Sequence, residues 1–145
     1  MKLLVRFCAI LIIAMFAFSC GKDDEETVIP NVTFKATLKG TNEVPSNASS
    51  AIGLATLTFN PNNSTFTIVV THDLVTATGG HIHKGATGIN GEVAFPFLTT
   101  ASPINFTSVA LTSTQLSDLN AGLFYVNLHT ASFPGGEIRG QILRQ

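Results

Sequence analysis

The sequence predicts an all-β domain, an antiparallel sandwich or barrel with Greek-key connections and one short helix or turn, and three observations carry that prediction. Val32-Thr33-Phe34-Lys35-Ala36-Thr37-Leu38-Lys39 alternates apolar and polar residues strictly, the period of a strand with one face in a core. Short runs of β-branched and aromatic residues recur along the chain, separated by clusters of Asn, Pro, Gly and Ser. Only one segment departs from that pattern, which argues against alternating strand and helix units and a parallel sheet.

The elements follow in order. After Val32–Lys39, Ile52–Phe59 and Thr65–His72 are strand candidates joined through Asn60-Pro61-Asn62-Asn63-Ser64, whose residues fix φ or bond their own backbone, so the pair reads as a hairpin. His81–His83 comes next, then Glu92–Phe97 after the turn pair Asn90-Gly91, then Asn105–Leu111. Leu123–Thr130 and Glu137–Leu143, the latter behind Pro134-Gly135-Gly136, complete about eight short strands. The exception is Ser113–Gly122, with a Ser/Thr cap, leucines three apart and a closing glycine, which reads as a short helix or single turn. No internal repeat and no second domain is evident.

The start of the chain belongs to a different category. Lys2 and Arg6 precede an apolar run from Phe7 to Phe18, about twelve residues and too short to span a bilayer, which needs roughly 20. The run ends at Ala17-Phe18-Ser19-Cys20, which resembles the lipobox of a bacterial lipoprotein signal, with Phe18 in a place usually held by a smaller residue. That resemblance implies a signal peptide over residues 1–19, removal before Cys20, lipidation of Cys20 and a membrane anchor rather than a span. Residues 20–31 then form the lipidated cysteine and an acidic tether, since Gly21-Lys22-Asp23-Asp24-Glu25-Glu26 is the only charge run present. A lysine followed by acidic residues there resembles a surface-export signal, so the expected location is the outer membrane or cell surface. Cys8 falls in the removed segment and Cys20 is consumed by lipid, so residues 32–145 keep no thiol for a disulfide, a metal or a nucleophile.

Composition restricts what residues 32–145 do. Lys35, Lys39, Lys84, Arg139 and Arg144 balance Glu43, Asp73, Glu92, Asp118 and Glu137. A neutral domain with no basic cluster excludes nucleic acid as a partner, because that binding rests on several cations meeting phosphates. Lys84–Gly91 is glycine-rich but lacks the Gly-Lys-Ser/Thr ending of a phosphate loop, and no serine lies in a nucleophile elbow. The carboxylates are scattered. Glu137 alternates with Arg139 and Gln141 on what reads as the exposed side of a strand, where a surface ion pair of small energetic weight is expected.

Histidines carry the remaining chemistry. In Gly79-Gly80-His81-Ile82-His83-Lys84-Gly85, His81 and His83 leave one face of a strand roughly 6.6 Å apart, and Ile82 leaves the other. With Ile82 in the core, both imidazoles stand outside, able to lean toward one ion at about 2.0–2.1 Å from each nitrogen. Two ligands make a weak site. His129 is the candidate third, since Phe124, Val126 and Leu128 share one face of their strand and Tyr125, Asn127 and His129 the other, making Tyr125 and Asn127 a supporting polar face. Nitrogens converging within about 4 Å would mark a site. His72 reads as a strand-end residue bonded locally. The bland alternative for His81 and His83 is cross-strand contact or a hydrogen bond to the glycine-rich loop that follows.

Taken together, Leu38-Lys39-Gly40-Thr41-Asn42-Glu43-Val44-Pro45, His81-Ile82-His83-Lys84-Gly85, Tyr125–Thr130 and Phe133-Pro134-Gly135-Gly136-Glu137-Ile138-Arg139-Gly140-Gln141 resemble the CHRD domain. The resemblance runs from about Val32 to Leu143 and implies an immunoglobulin-like sandwich or barrel without a generally established molecular activity. The His-x-His segment is also similar to the copper-ligand strand of copper/zinc superoxide dismutase, but that dinuclear site needs more histidines than the four present and an aspartate besides. Two functions are therefore expected. One is a non-enzymatic, lipid-anchored binding or adhesion module, with no catalytic residues and with a cell-surface protein or glycan as partner. The other is a mononuclear copper or zinc protein using His81, His83 and His129.

Overall fold

The computed structural model describes residues 27–145; the expected signal peptide, the expected lipidation site Cys20 and the charge run to Glu26 lie outside the described residues. Nine strands follow in chain order: β1 (Val32–Lys39), β2 (Ile52–Asn60), β3 (Thr65–His72), β4 (Ala77–Lys84), β5 (Glu92–Pro96), β6 (Ile104–Thr107), β7 (Phe124–Thr130), β8 (Ile138–Gln141) and β9 (Leu143–Arg144). One helix, α1 (Ser113–Asn120), stands between β6 and β7. All pairings are antiparallel, in the spatial order β5-β4-β7-β8-β1-β2-β3-β6, with β9 beside β1. The chain crosses between the two halves of this sheet three times, after β3, after β5 and after β6.

The sheet curls until its two outer strands meet through side chains. Phe95 of β5 lies 6.3 Å from Phe106 of β6 and 5.2 Å from Phe66 of β3, centroid to centroid, the latter edge to face. Aromatic contacts of this kind close the barrel where backbone pairing does not. The alternation in β1 resolves as expected, with Phe34, Ala36 and Leu38 buried and Lys35, Thr37 and Lys39 exposed. Leu57 and Phe59, Phe66, Ile68 and Val70, Ile82, Phe124, Val126, Leu128 and Ile138 fill the same core.

The turns hold these strands in register. Between β2 and β3, Asn60 Oδ1 accepts from the Asn62 amide and Asn63 Oδ1 from the Thr65 amide, while Ser64 takes a left-handed φ of 58°. Helix α1 opens on a reciprocal capping box: Thr112 Oγ1 accepts from the Gln115 amide at 3.2 Å, and Gln115 Oε1 from the Thr112 amide at 2.9 Å. Gly122, at φ 67°, ends the helical segment as a left-handed cap. Strand β6 stops at Thr107, short of Leu111, and the Ser108 hydroxyl instead accepts from the Phe66 amide. The final strand divides at Ile142, whose buried side chain separates β8 from β9. Of the segment expected to be a tether, residues 27–31 are exposed without regular structure, yet Ile29 exchanges two hydrogen bonds with the Asn62 side chain.

Because Leu128 is fully buried on the core face of β7, Leu128→Ala should lower unfolding free energy by about 2–5 kcal/mol, the cost of lost contact plus cavity. Thr112→Ala, which removes only the α1 cap, should cost about 1 kcal/mol. Urea titration followed by circular dichroism measures both, and equal midpoints for the two variants would contradict this division of roles.

Candidate metal centre

The pairing of β4 with β7 sets the site. His83 stands opposite Tyr125, His81 opposite Asn127, and Gly79 opposite His129, all on the face turned away from the core. A register shift between Ile82 and His83 in the β4–β5 pairing marks an irregularity beside the cluster, as bulges commonly do near sites. Gly79 leaves His129 free to lean across toward His81: a Cβ on Gly79 would lie 3.7 Å from His129 Cδ2 and 3.8 Å from His81 Cε1, so a longer side chain would enter the cluster.

His81, His83 and His129 each present one ring nitrogen within 4.8 Å of the others. His81 Nδ1 and His129 Nε2 are 3.3 Å apart, the separation of two ligands about 2.05 Å from one tetrahedral ion. The His83 nitrogen lies within 4.8 Å of both. Two of the three rings already have their outer nitrogen committed. His83 Nδ1 donates to the Gly91 carbonyl at 2.9 Å and His129 Nδ1 to the Pro134 carbonyl at 3.0 Å, which leaves a lone pair on Nε2 of each. His83 Nε2 is buried without a hydrogen-bond partner. A neutral imidazole with a buried, unspent lone pair facing two others is the donor set that zinc or copper takes. The glycine-loop hydrogen bond foreseen as the bland alternative for these histidines is thus present at His83.

The supporting face is not open to solvent as the sequence suggested. Tyr125, Asn127 and Arg139 are 1 %, 4 % and 2 % exposed. Loops 40–51, 85–91 and 131–137 roof them over. Arg139 was expected on the surface, paired with Glu137; its guanidinium instead lies 3.4 Å from the centre of the Tyr125 ring and donates to Asn90 Oδ1 and the carbonyls of Ala86 and Ile89. Tyr125 is stacked in turn on His83, with centroids 5.0 Å apart and planes 4° from parallel. Since β7 runs between β4 and β8, these three side chains form one pile, Arg139, Tyr125, His83. Glu137 takes the hydroxyls of Ser49 and Thr130 rather than a cation. Among the described residues the ion pair found is Lys84–Asp118, 2.7 Å. His72 donates from Nε2 to the Thr100 carbonyl at 2.9 Å and stands apart from the cluster.

Sequence reasoning missed Glu43 and Asn90. Glu43, 6 % exposed, reaches Asn127 beneath the roof, and burial raises its carboxyl to about 7 against the opposing pull of Arg139, the Val44 backbone and Asn127. Its position in Asn42-Glu43-Val44-Pro45, among turn residues, was the available signal. His81 is held below the ordinary histidine value by burial first, then by His129 and His83. His83 is lowered by burial against the Gly91 hydrogen bond, with His129 and Arg139 adding to the drop and Glu92 opposing it.

Compared with known proteins, the chain matches the family described as the CHRD domain over residues 34–142, about three quarters of its length. No curated protein and no solved structure matches it.

Depressed histidines make stability depend on pH with a definite sign. The unfolded chain binds protons near pH 6.5 while folded His81 and His83 do not, so their contribution is full above 6.5 and declines as pH falls through their folded midpoints. Glu43 works oppositely: its contribution is present below 4.5 and lost as pH rises toward about 7. In metal-free Glu43→Gln protein, urea stability should therefore fall on acidification below about pH 6.5, and less so when His81→Gln and His83→Gln are added. An identical pH slope in both backgrounds would contradict the assignment.

Proposed function

This chain belongs to the CHRD domain family, and on that premise we propose that it is an envelope-anchored binding module whose ligand is one copper or zinc ion, held by His81, His83 and His129. The single observation that carries the reading is convergence of three imidazole nitrogens in which His83 and His129 have the opposite nitrogen pinned to a backbone carbonyl. Such outer hydrogen bonds fix the tautomer and raise ligand basicity. Three imidazoles without thiolate or carboxylate suit zinc and copper and leave a coordination position for water or a partner. The domain keeps no cysteine, so the ligands do not depend on redox state.

The role we read is binding, since among the described residues three imidazoles come together there without a nucleophile beside them. Cys20, behind its lipobox-like sequence, supports placement at the outer membrane or cell surface through a lipid, with the acidic run holding the domain off the bilayer.

Calorimetric titration of chelator-treated protein with Zn(II) and Cu(II) should show one ion per chain. His81→Ala/His83→Ala should weaken it at least about 100-fold, as loss of ligands does where even outer partners matter 10–100-fold. Equal affinity in wild type and variant would refute the centre. Separately, Cys20→Ala should move the protein from the membrane fraction to the soluble fraction and abolish labelling by a fatty-acid probe. Membrane attachment unchanged by that substitution would refute the anchor.

A further inference from the structure

The fold buries two carboxyl groups in different ways. Asp118, 9 % exposed, has the Lys84 ammonium at 2.7 Å. Glu43, 6 % exposed, has no cation in contact, because the one guanidinium beneath the roof is committed to Asn90, Ala86, Ile89 and the Tyr125 ring. Glu43 Oε2 receives a long contact from Asn127 Nδ2 at 3.5 Å, and the Val44 backbone also acts in favour of the carboxylate. Glu43 Oε1 and Asn127 Oδ1 are both buried with no hydrogen-bond partner. They also crowd one spot: a Cβ built on Gly136, whose φ is 134°, would lie 2.7 Å from Glu43 Oε1 and 2.6 Å from Asn127 Oδ1. Two unpaired acceptors buried together cost free energy. A proton on Oε1 turns that carboxyl into a donor and satisfies both atoms at once.

We propose that Glu43 is a proton-holding site of the metal centre: it stands as a neutral acid hydrogen-bonded to Asn127 when the centre is empty, and it releases its proton when a dication binds to the histidines. The proposal rests on the metal reading above. Asn127 is the link, since it lies opposite His81 across β4 and β7 and two residues before His129. A dication on the histidines therefore acts on Glu43 from about one side chain away, favouring the carboxylate. The exchange balances: the O–H bond of Glu43 breaks, its proton passes to water or buffer, and one negative charge remains to offset the two positive charges that entered. Arg139 of β8 is the charged group whose field reaches Glu43 already. From the roofing loops, Glu137 is occupied by Ser49 and Thr130; from β4 and β7 the titratable side chains that share the outer face with Asn127 are His81, His83, Tyr125 and His129. Burial, which raises Glu43 to about 7, means that the empty centre near neutrality holds a substantial fraction of this proton.

The test is a carboxyl-carbon NMR titration of the intact protein, with and without Zn(II), the Glu43 signal being identified by its loss in Glu43→Gln. That variant keeps the shape of the side chain and can donate from its amide to Asn127, so it should fold. In metal-free protein the Glu43 midpoint should lie near 7, and Zn(II) should lower it by about one unit or more. Calorimetry of Zn(II) binding near pH 7, in buffers of different ionisation heat, should show Glu43→Gln releasing about half a proton fewer per ion than wild type. A metal-free midpoint in the ordinary carboxylate range overturns the proton site. Zn(II) uptake with an unmoved Glu43 midpoint overturns the linkage alone. Absence of Zn(II) uptake by wild type overturns the centre and the linkage with it, whereas a midpoint near 7 in that same protein upholds the proton site independently.

Discussion

The register between β4 and β7 is the constraint on which the rest depends. Strand side chains alternate with a period of two, so pairing Ile82 with Val126 turns both into the core and lifts His81, His83, Tyr125 and Asn127 onto the other face together. A slip of one residue would bury imidazoles and expose valine and leucine, a loss far larger than any single contact on the outer face. The hydrophobic stripe Phe124, Val126, Leu128 therefore positions the histidines more firmly than anything the histidines themselves touch.

A second layer is then built on that face, and it is polar throughout. Burying Arg139 carries a desolvation cost of several kcal/mol unless its donors are met. Three acceptors from the segment Ala86–Asn90 meet them, and the Tyr125 ring takes the cation on its face. Asn90 also ties that segment to Val44. Asn47 ties the first loop to the carbonyls of Gly136 and Glu137. The three roofing loops thus hold one another through side-chain amides and a guanidinium, while two of them supply the carbonyls that orient His83 and His129. Gly136 permits a close approach in this layer, because any Cβ there would collide with both Glu43 and Asn127.

Much of the barrel was legible in the chain. The alternation of Val32–Lys39 and Thr65–His72 marks both strands at the bounds they take, and a Ser/Thr cap was expected within Ser113–Gly122, whereas the capping residue is Thr112, just before that segment. The period of two put His81 and His83 on one face and His129 on the polar face of its own strand; that these are one face follows from the pairing of β4 with β7, which the period does not give. What alternation does not disclose is whether the polar face of a strand meets water or a loop. Arg139 and Glu137 carry the same pattern whether exposed or roofed, so an ion pair was expected where the folded chain gives each a separate set of partners. Glu43 was hidden for a related reason: it sits in a turn with no periodicity, and its burial is decided by contacts more than eighty residues away along the chain.

The small clamp between Ile29 and Asn62 has a consequence under load. Asn62 belongs to the turn beyond Phe59, the partner of Val32 at the start of β1, whereas Lys39 at the other end of β1 pairs with Arg139 beside the histidine face. Those two ends are separated by eight residues of strand, on the order of 20 Å. A pull on the chain upstream of Ile29 is thus delivered at the end of β1 remote from the row Lys39, Arg139, Asn127 and His81, so that tension enters the barrel away from the imidazoles.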